Sequence, residues 1–391
     1  LKILIKKMPY NNRIIQRNKT KGKHMRKLAS IRKIKDIKPI KNADRIVLVQ
    51  VDGWWCITKK DEFQKGELGV YFEIDSLLPH EDIYSFLGKA SLRDGEYRYR
   101  IKTMKMRGVI SQGLLLPLGL FEDRLKGYKE GDDVTEVLNV KKYDDTQKFK
   151  SKSNSPQTKS RFPSFLIKTD QERIQNLVHY FEDKSMKELE FEETLKLDGS
   201  SHSSFKIKES LPLWKGFVNK LSLTVFNKEV FNTYRFGFCS RNLELKEAPK
   251  GNKQSNFEKV VHKYNIKEEL PIGYAIQGEL IAPDIQSNHE KIKEPELYIF
   301  NVFDVEKQEY LKPQDARKFV NKHFTKLKYI PVVNEKVKIF KECKTLEDML
   351  ERVEGQSMNK DTVSEGRVYK CTSDSNIHFK CISNTYLLQK K

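Results

Sequence analysis

Glu193-Thr-Leu-Lys-Leu-Asp-Gly-Ser-Ser201 is the stretch on which the reading of this chain turns. With Phe191 and Glu192 before it, it predicts a strand over Phe191–Leu197. That strand carries Lys196, followed two and three residues on by Asp198 and Gly199. A lysine within an apolar strand is either an edge charge or a working group. To act as a nucleophile the amine must shed its proton, and an ordinary lysine pKa of ~10.4 makes that a matter of burial or neighbouring cations. A glycine three residues on lets backbone approach a phosphate closely. Taken alone, the same residues also fit an edge lysine before an Asp-Gly turn.

Working outward, the C-terminal half alternates strands and helices. Further strands are predicted over Phe236–Ser240, Ile276–Ile281, Leu297–Val305, Gly366–Tyr369 and His378–Ile382, and helices over Pro313–His323 and Thr345–Val353. The expected class is α+β with an antiparallel bias. Thr169–Val178 is expected to open a helix, with Thr169 as N-cap and Glu172 completing a capping box. Residues 142–160 collect Ser, Lys, Asn and Pro without apolar periodicity and are expected to be a linker. Ahead of it, Arg45–Val51, Trp54–Thr58, Gly69–Ile74 and Gly113–Pro117 read as short strands, with Asp52-Gly53 as a hairpin turn between the first two. Short strands at this spacing suggest a small barrel, an OB-like one before an SH3-like one. Residues 1–35 hold thirteen Lys or Arg and no acid. We read 1–25 as a basic extension, 26–141 as the barrel domain and 161–391 as the catalytic domain.

Composition narrows the partners. The 391 residues carry 74 Lys+Arg against 54 Asp+Glu, a formal charge of +20, which suits a polyanion such as nucleic acid. No apolar run approaches the ~20 residues of a membrane span. The five cysteines are scattered, odd in number and without a CxxC pair, which speaks against a disulfide framework or zinc site and for a reducing, intracellular (cytoplasmic) setting.

Five more short motifs follow Lys196-Leu-Asp-Gly199: Ser240-Arg-Asn242, Gln277-Gly-Glu-Leu280, Leu297-Tyr-Ile-Phe-Asn-Val302, Glu365-Gly-Arg-Val-Tyr-Lys370 and Phe379-Lys-Cys-Ile382. Each alone is a turn or an ordinary strand. In this order they resemble the motif series of the covalent nucleotidyltransferases: RNA ligases, DNA ligases and capping enzymes. The resemblance implies an α+β nucleotidyltransferase domain, ATP-grasp-like with an antiparallel sheet. It implies Lys196 as the nucleophile that takes up a nucleotide, Arg241 at the ribose and the nucleic-acid end, and Glu279 at ribose or metal. It further implies Phe300 stacked on the purine, Asp198 and Glu365 at the metal, and Lys370 and Lys380 on phosphate.

The front half carries a narrower resemblance. Ala43-Asp-Arg-Ile46, Val51-Asp-Gly-Trp54, Val70–Ser76, Ile101–Gly108, Ser111–Pro117 and Lys168–Asn176 look like the Naegleria-type RNA ligases (RNA ligase family 5), over roughly residues 26–391. Capping enzymes and typical DNA ligases carry an OB domain after the last motif, whereas here the barrel lies in front and eleven residues follow Lys380. The resemblance therefore implies a monomeric, ATP-dependent RNA ligase using Mg²⁺ or Mn²⁺. It would seal 3′-hydroxyl to 5′-phosphate ends, nicks with RNA on the 3′-hydroxyl side, through lysyl-AMP and an adenylated polynucleotide. The rivals are a DNA ligase or guanylyltransferase of unusual domain order and a non-enzymatic nucleic-acid-binding protein. In the barrel, Lys102, Lys105 and Arg107 form a basic strip around a glycine, suited to RNA phosphates. Trp54, Trp55, Tyr71 and Phe72 suit either base stacking or the barrel core. Two departures are expected to matter: Lys206–Tyr234 is long and suggests an inserted hairpin, and His378 stands where some ligases have a second lysine.

Overall fold

The computed structural model describes residues 27–93, 95–143, 158–209, 222, 233–249 and 251–389. The basic extension 1–25, most of the expected linker and most of the long Lys206–Tyr234 segment lie outside the described residues. The chain divides into two compact units between Gln147 and Lys148.

The first unit is built on a curled antiparallel sheet. Its strands are β1 (Ala29–Ile40), β2 (Ala43–Val51), β3 (Trp54–Lys59), β4 (Leu68–Phe72), β5 (Met104–Met106), β6 (Val109–Ser111) and β7 (Leu114–Pro117). The order is β7-β4-β1-β2-β3. The long β1 serves both halves: Ala29–Lys33 pair with β4 and Ile34–Ile40 with β2, with a bulge near Ile34–Asp36 where the strand bends. The Gln112 amide donates to the Trp55 carbonyl at 3.0 Å and the Ile57 amide to Ser111 Oγ at 2.9 Å, drawing the β6–β7 corner onto β3 and curling the sheet. This is the expected OB-like barrel. The Asp52-Gly53 hairpin forms, with Val51 opposite Trp54 and Asp52 at φ 49°. Trp54, Tyr71 and Phe72 are buried core residues, so they do not serve as a base-stacking platform, while Trp55 is half-buried beneath the Lys38 ammonium.

The second unit packs two sheets and three helices of seven residues or more among the described residues. The strands are β8 (Glu172–Arg173), β9 (Phe191–Leu195), β10 (Ser200–Lys208), β11 (Tyr234–Cys239), β12 (Leu243–Leu245), β13 (Tyr274–Ile281), β14 (Glu296–Asp304), β15 (Val332–Val337), β16 (Gly366–Cys371) and β17 (His378–Ile382). The helices are α1 (Asn256–Lys263), α2 (Pro313–His323) and α3 (Leu346–Arg352). The larger sheet runs β12-β11-β10-β13-β14, with Thr158–Arg161 added beyond β12 and short strands beside β14. The smaller runs β8-β17-β16-β9-β15, with β8 parallel to β17.

Local chemistry accounts for the helices. Pro313 opens α2 at its first turn, where a missing N–H costs nothing, and Pro313, Ala316 and Val320 bury one face. Thr345 and Asp348 close a reciprocal capping box on α3, and Ser255 caps α1 through the Glu258 amide. The strands follow period two. On the smaller sheet Phe191, Tyr369, Cys371, Phe379 and Cys381 enter one apolar core with Leu346 and Met349 of α3. The alternate residues Glu192, Thr194, Val368, Lys370, His378 and Lys380 therefore share the opposite face.

Two expectations change on contact with the structure. Thr169–Val178 does not open a helix: Glu172 and Arg173 pair in parallel with Phe379 and Lys380, and only tight turns follow at Ile174–Asn176 and Val178–Phe181. A sheet edge claims the backbone that the capping signal offered to a helix. The expected linker is bounded more closely, because Lys141–Lys142 and Thr158–Arg161 are strands. The ends of the Lys206–Tyr234 segment do pair as a hairpin's arms, Lys208 opposite Tyr234 and the Glu209 amide on the Thr233 carbonyl at 2.8 Å.

Candidate active site

Lys196 stands one residue past β9, where its amide still bonds the Gly366 carbonyl at 3.0 Å. Its Nζ lies 2.7 Å from Glu365 Oε1. Burial pulls the ammonium pKa down, but the charges of Glu365, Glu279 and Asp198 outweigh it, and the net direction is up. Glu365 thus touches this amine, and the charges of Glu279 and Asp198, from the strand opposite and the turn that follows, act on it as well. Asp198, buried, accepts a 2.6 Å hydrogen bond from Tyr386 Oη. Glu365 Oε2 is buried and accepts no hydrogen bond. Glu279, half-buried on β13, is pushed up to about 8 by burial first, Lys196 opposing and Glu365 and Asp198 adding to the rise.

Two glycines make this convergence possible. A Cβ on Gly199 would sit 2.5 Å from the Leu280 carbonyl oxygen, so only glycine lets the turn after Asp198 lie against β13. Gly366 has φ 143°, and its Cβ would fall 2.1 Å from the Cys381 carbonyl oxygen, which keeps β16 and β17 close beneath Lys196.

The other predicted cations are arranged around this centre. Lys380 on β17 is drawn down to about 8 by burial; Asp170 raises it, while Lys196, Arg173 and Arg241 lower it further. Arg241, exposed in the turn between β11 and β12, lies 3.7 Å from Asp170 Oδ2, and Lys380 Nζ lies 3.7 Å from Asp170 Oδ1. Lys370 is held differently. Its Nζ donates to the Phe300 carbonyl and, at 2.7 Å, to Asn301 Oδ1, and burial brings it down to about 8 with Glu192 opposing. It ties the smaller sheet to β14 of the larger one and is bonded there rather than at the Lys196 carboxylates. Phe300 is partly buried among Leu195, Leu197, Ile281 and Tyr298. His378, opposite Lys370 across β16 and β17, has a buried Nδ1 without a hydrogen-bond partner and is held below the usual histidine range by burial and by Lys370.

Several residues in this region escaped the sequence reading. Glu192 is fully buried, accepting from Tyr329 Oη at 2.9 Å and lying 2.9 Å from Arg317 Nε. Glu193, on the opposite face of β9, takes bonds from Arg352 Nη2 at 2.8 Å, Tyr369 Oη at 2.9 Å and Asn334 Nδ2 at 3.1 Å. The one signal for this pair was two adjacent acids in a strand read as apolar; their partners lie 125 residues or more downstream. Asp170 lay within the quoted Lys168–Asn176 segment without a role.

The chemistry of the donors fits a hard divalent cation. An orphaned buried carboxylate oxygen on Glu365 and a carboxyl on Glu279 strained by like charge make an oxygen-only set, as Mg²⁺ and Mn²⁺ prefer. Among the described residues no group of three or more acidic, histidine or cysteine side chains lies close enough together as it stands to hold a metal ion. In the first unit, Lys102, Lys105 and Arg107 are exposed; Lys105 lies on β5, and Arg107 turns at φ 53° before Gly108 into β6. All five cysteines are buried and unpaired. Among the described residues no helix is long and apolar enough to cross a membrane.

Comparison with known proteins agrees with both units. An OB-fold domain family matches residues 28–118, and the RNA ligase family matches residues 189–382. Among solved structures, a variant of the Naegleria gruberi RNA ligase with ATP and Mn is 34% identical, with 94% of this chain and 99% of that chain covered and a TM-score of 0.73. The Naegleria gruberi RNA ligase with PPi is 35% identical over 93% of this chain and 98% of that chain, TM-score 0.72. A further variant with AMP and Mn is 34% identical over 94% and 99%, TM-score 0.72. No curated protein matches the chain in sequence.

Proposed function

The chain belongs to the RNA ligase family, and from that premise we propose that it is an ATP-dependent enzyme that seals 3′-hydroxyl to 5′-phosphate RNA ends with Lys196 as its nucleophile. The observation that carries the assignment of Lys196 is its place at the meeting point of Glu365, Glu279 and Asp198 on two facing sheets. A partly buried ammonium paired with Glu365 and held in the field of two further carboxylates has more negative charge around it than one ion pair needs.

The reaction has three steps. The neutral Lys196 amine attacks the α-phosphorus of ATP; an N–P bond forms, the α–β P–O bond breaks, and pyrophosphate leaves. The AMP passes to a 5′-phosphate, regenerating the amine. A 3′-hydroxyl then attacks the 5′-phosphate, and AMP departs. Phosphoryl transfer of this kind depends on positioning and on stabilising charge. Lys380 and Arg241 serve the phosphates and the nucleic-acid end. Phe300 offers the purine a face, and Lys370 fixes the Phe300 strand from behind. Asp198, Glu279 and Glu365 would hold Mg²⁺ or Mn²⁺, which would supply positive charge beside Lys196 and the phosphates. In the barrel, Lys102, Lys105 and Arg107 contact RNA backbone, with RNA on the 3′-hydroxyl side of a nick. We read the enzyme as a monomer, and the five unpaired buried thiols suit the reducing interior of a cell.

The test is incubation with α-³²P-ATP and Mg²⁺ or Mn²⁺, wild type beside Lys196→Ala, read on a denaturing gel. Covalent label on the wild type alone is the expected result. No label with either metal, on protein first stripped of AMP with pyrophosphate, would overturn the assignment.

A further inference from the structure

Asp170 is the acidic residue that touches two of the cations assigned to phosphate. Its Oδ1 lies 3.7 Å from Lys380 Nζ and its Oδ2 lies 3.7 Å from Arg241 Nη2, so each carboxylate oxygen serves a different cation. These cations have reason to repel one another. Lys380 is opposed by Lys196, Arg173 and Arg241 together, and Arg173 is its register partner on β8; Asp170 is the group acting in its favour. Without an anion among them the cluster would be strained by like charge.

The geometry is that of a charge resting between two partners rather than one locked to either. A charge-assisted N–H···O bond is ~2.7–2.9 Å long, and both contacts exceed it. Asp170 and Arg241 are well exposed. The backbone that carries the carboxylate is nonetheless held in place. The Ile167 carbonyl accepts from Gln277 Nε2 at 2.8 Å and from Tyr310 Oη at 3.2 Å, and Lys168 Nζ donates to Asn242 Oδ1 at 2.7 Å. The carboxylate can shift between the two cations while the backbone beside it stays anchored.

We propose that Asp170 is a built-in stand-in for phosphate: it occupies Lys380 and Arg241 between turnovers and yields them to a phosphate group of the nucleotide or the RNA end. Asp170 is then a positioning residue that competes with phosphate. Its presence keeps the cations ordered and stops AMP or pyrophosphate from being held too tightly after transfer. The inference rests on the reading of Lys380 and Arg241 as phosphate groups given above.

The experiment measures binding of inorganic pyrophosphate to the full chain, stripped of nucleotide, by titration calorimetry at fixed salt. Asp170→Asn keeps the shape and removes the charge, and Asp170→Ser guards against an effect peculiar to the amide. Lys380→Ala is the control for the cation site. Two ion pairs of this length, one to the exposed Arg241 and one to the partly buried Lys380, compete only modestly, so both Asp170 variants are expected to bind pyrophosphate roughly three- to tenfold more tightly. They are also expected to lower KM for ATP and to lower kcat, because product leaves more slowly. A residue that merely shaped the segment would raise KM instead. If Lys380→Ala weakens pyrophosphate while the Asp170 variants bind it no better than wild type, the stand-in role is overturned and the phosphate reading survives. If Lys380→Ala leaves pyrophosphate binding unchanged, the phosphate reading of Lys380 falls, and this inference with it.

Discussion

Lys370 lends itself to a quantitative test, because its place in the structure has a pH signature separable from those of its neighbours. Burial holds its pKa near 8, against ~10.4 for a lysine in an unfolded chain, with Glu192 only partly compensating. Below pH 8 both folded and unfolded states are protonated, and the folded state bears a desolvation cost of about 3 kcal/mol. Between pH 8 and the unfolded value, the unfolded state holds more protons than the folded state, so stability contributed at this site rises with pH. Integrated from pH 8 to 9.5, the gain is about 1.5 kcal/mol. The perturbation is Lys370→Met, which keeps most of the side-chain volume and removes the titrating group. The assay is reversible urea unfolding of both proteins at pH 7, 8, 9 and 9.5, followed by far-UV circular dichroism, reading the wild-type-minus-variant difference. Groups that do not sense the charge of Lys370, among them Lys380 and the buried thiols, cancel in that difference, whereas its neighbours Glu192 and His378 do not. Glu279 cancels too and acts in another window: its carboxyl is raised to about 8, so its contribution is lost as pH rises from the ordinary carboxylate range to 8. The expected result is a difference that moves in favour of the wild type by about 1.5 kcal/mol across pH 8–9.5. Parallel stability curves over that interval would refute the account of Lys370 as a buried ammonium tied to Phe300 and Asn301.

Three further outcomes can be checked directly. Gly199→Ala drives a methyl to 2.5 Å from the Leu280 carbonyl; it should cost about 1–3 kcal/mol in thermal or urea unfolding and reduce lysyl-AMP labelling more than tenfold by moving Asp198, and near-normal labelling would contradict the close approach. Arg352→Met strands the buried Glu193 carboxylate, which burial would raise and which Arg352 and Asn334 hold below its usual range; a loss of about 3 kcal/mol of stability is expected, and a loss under 1 would mean the pair is solvated. The double variant Lys105→Ala, Arg107→Ala should weaken binding to a nicked RNA-containing duplex and lower the slope of log K against log[salt] by roughly 1.4–1.8, measured by fluorescence anisotropy; an unchanged slope would place the phosphate contacts elsewhere on the barrel.

The two halves of the reading were not equally legible. The strands Tyr274–Ile281 and Glu296–Asp304, buried on both faces, were readable as short apolar runs, and the helix Pro313–His323 because burial on one face imposes its period on the sequence. The segment at Thr169 misled because an N-cap and an acid three residues on satisfy a helix's first turn locally, whereas here Glu172 and Arg173 are taken by a parallel partner two hundred residues away. The motif residues were found as short words in a fixed order. Glu192 and Glu193 belonged to no such word, Asp170 stood in one without a role, and the partners of all three declare themselves only in space.

By itself, then, the sequence determined what local periodicity and residue chemistry can encode: a small β-barrel ahead of an α+β domain, a basic surface, and a set of lysines and carboxylates able to handle phosphate. Tertiary structure decided how those charges act on one another. It brought Glu365 to 2.7 Å from Lys196, sent Lys370 to the strand of Phe300, and set Asp170 between Lys380 and Arg241. The physical reason is that electrostatic interaction depends on distance and burial, which strand register and close packing establish between residues far apart in the chain. Hydrophobic alternation, in contrast, is written into neighbouring positions and can be read there.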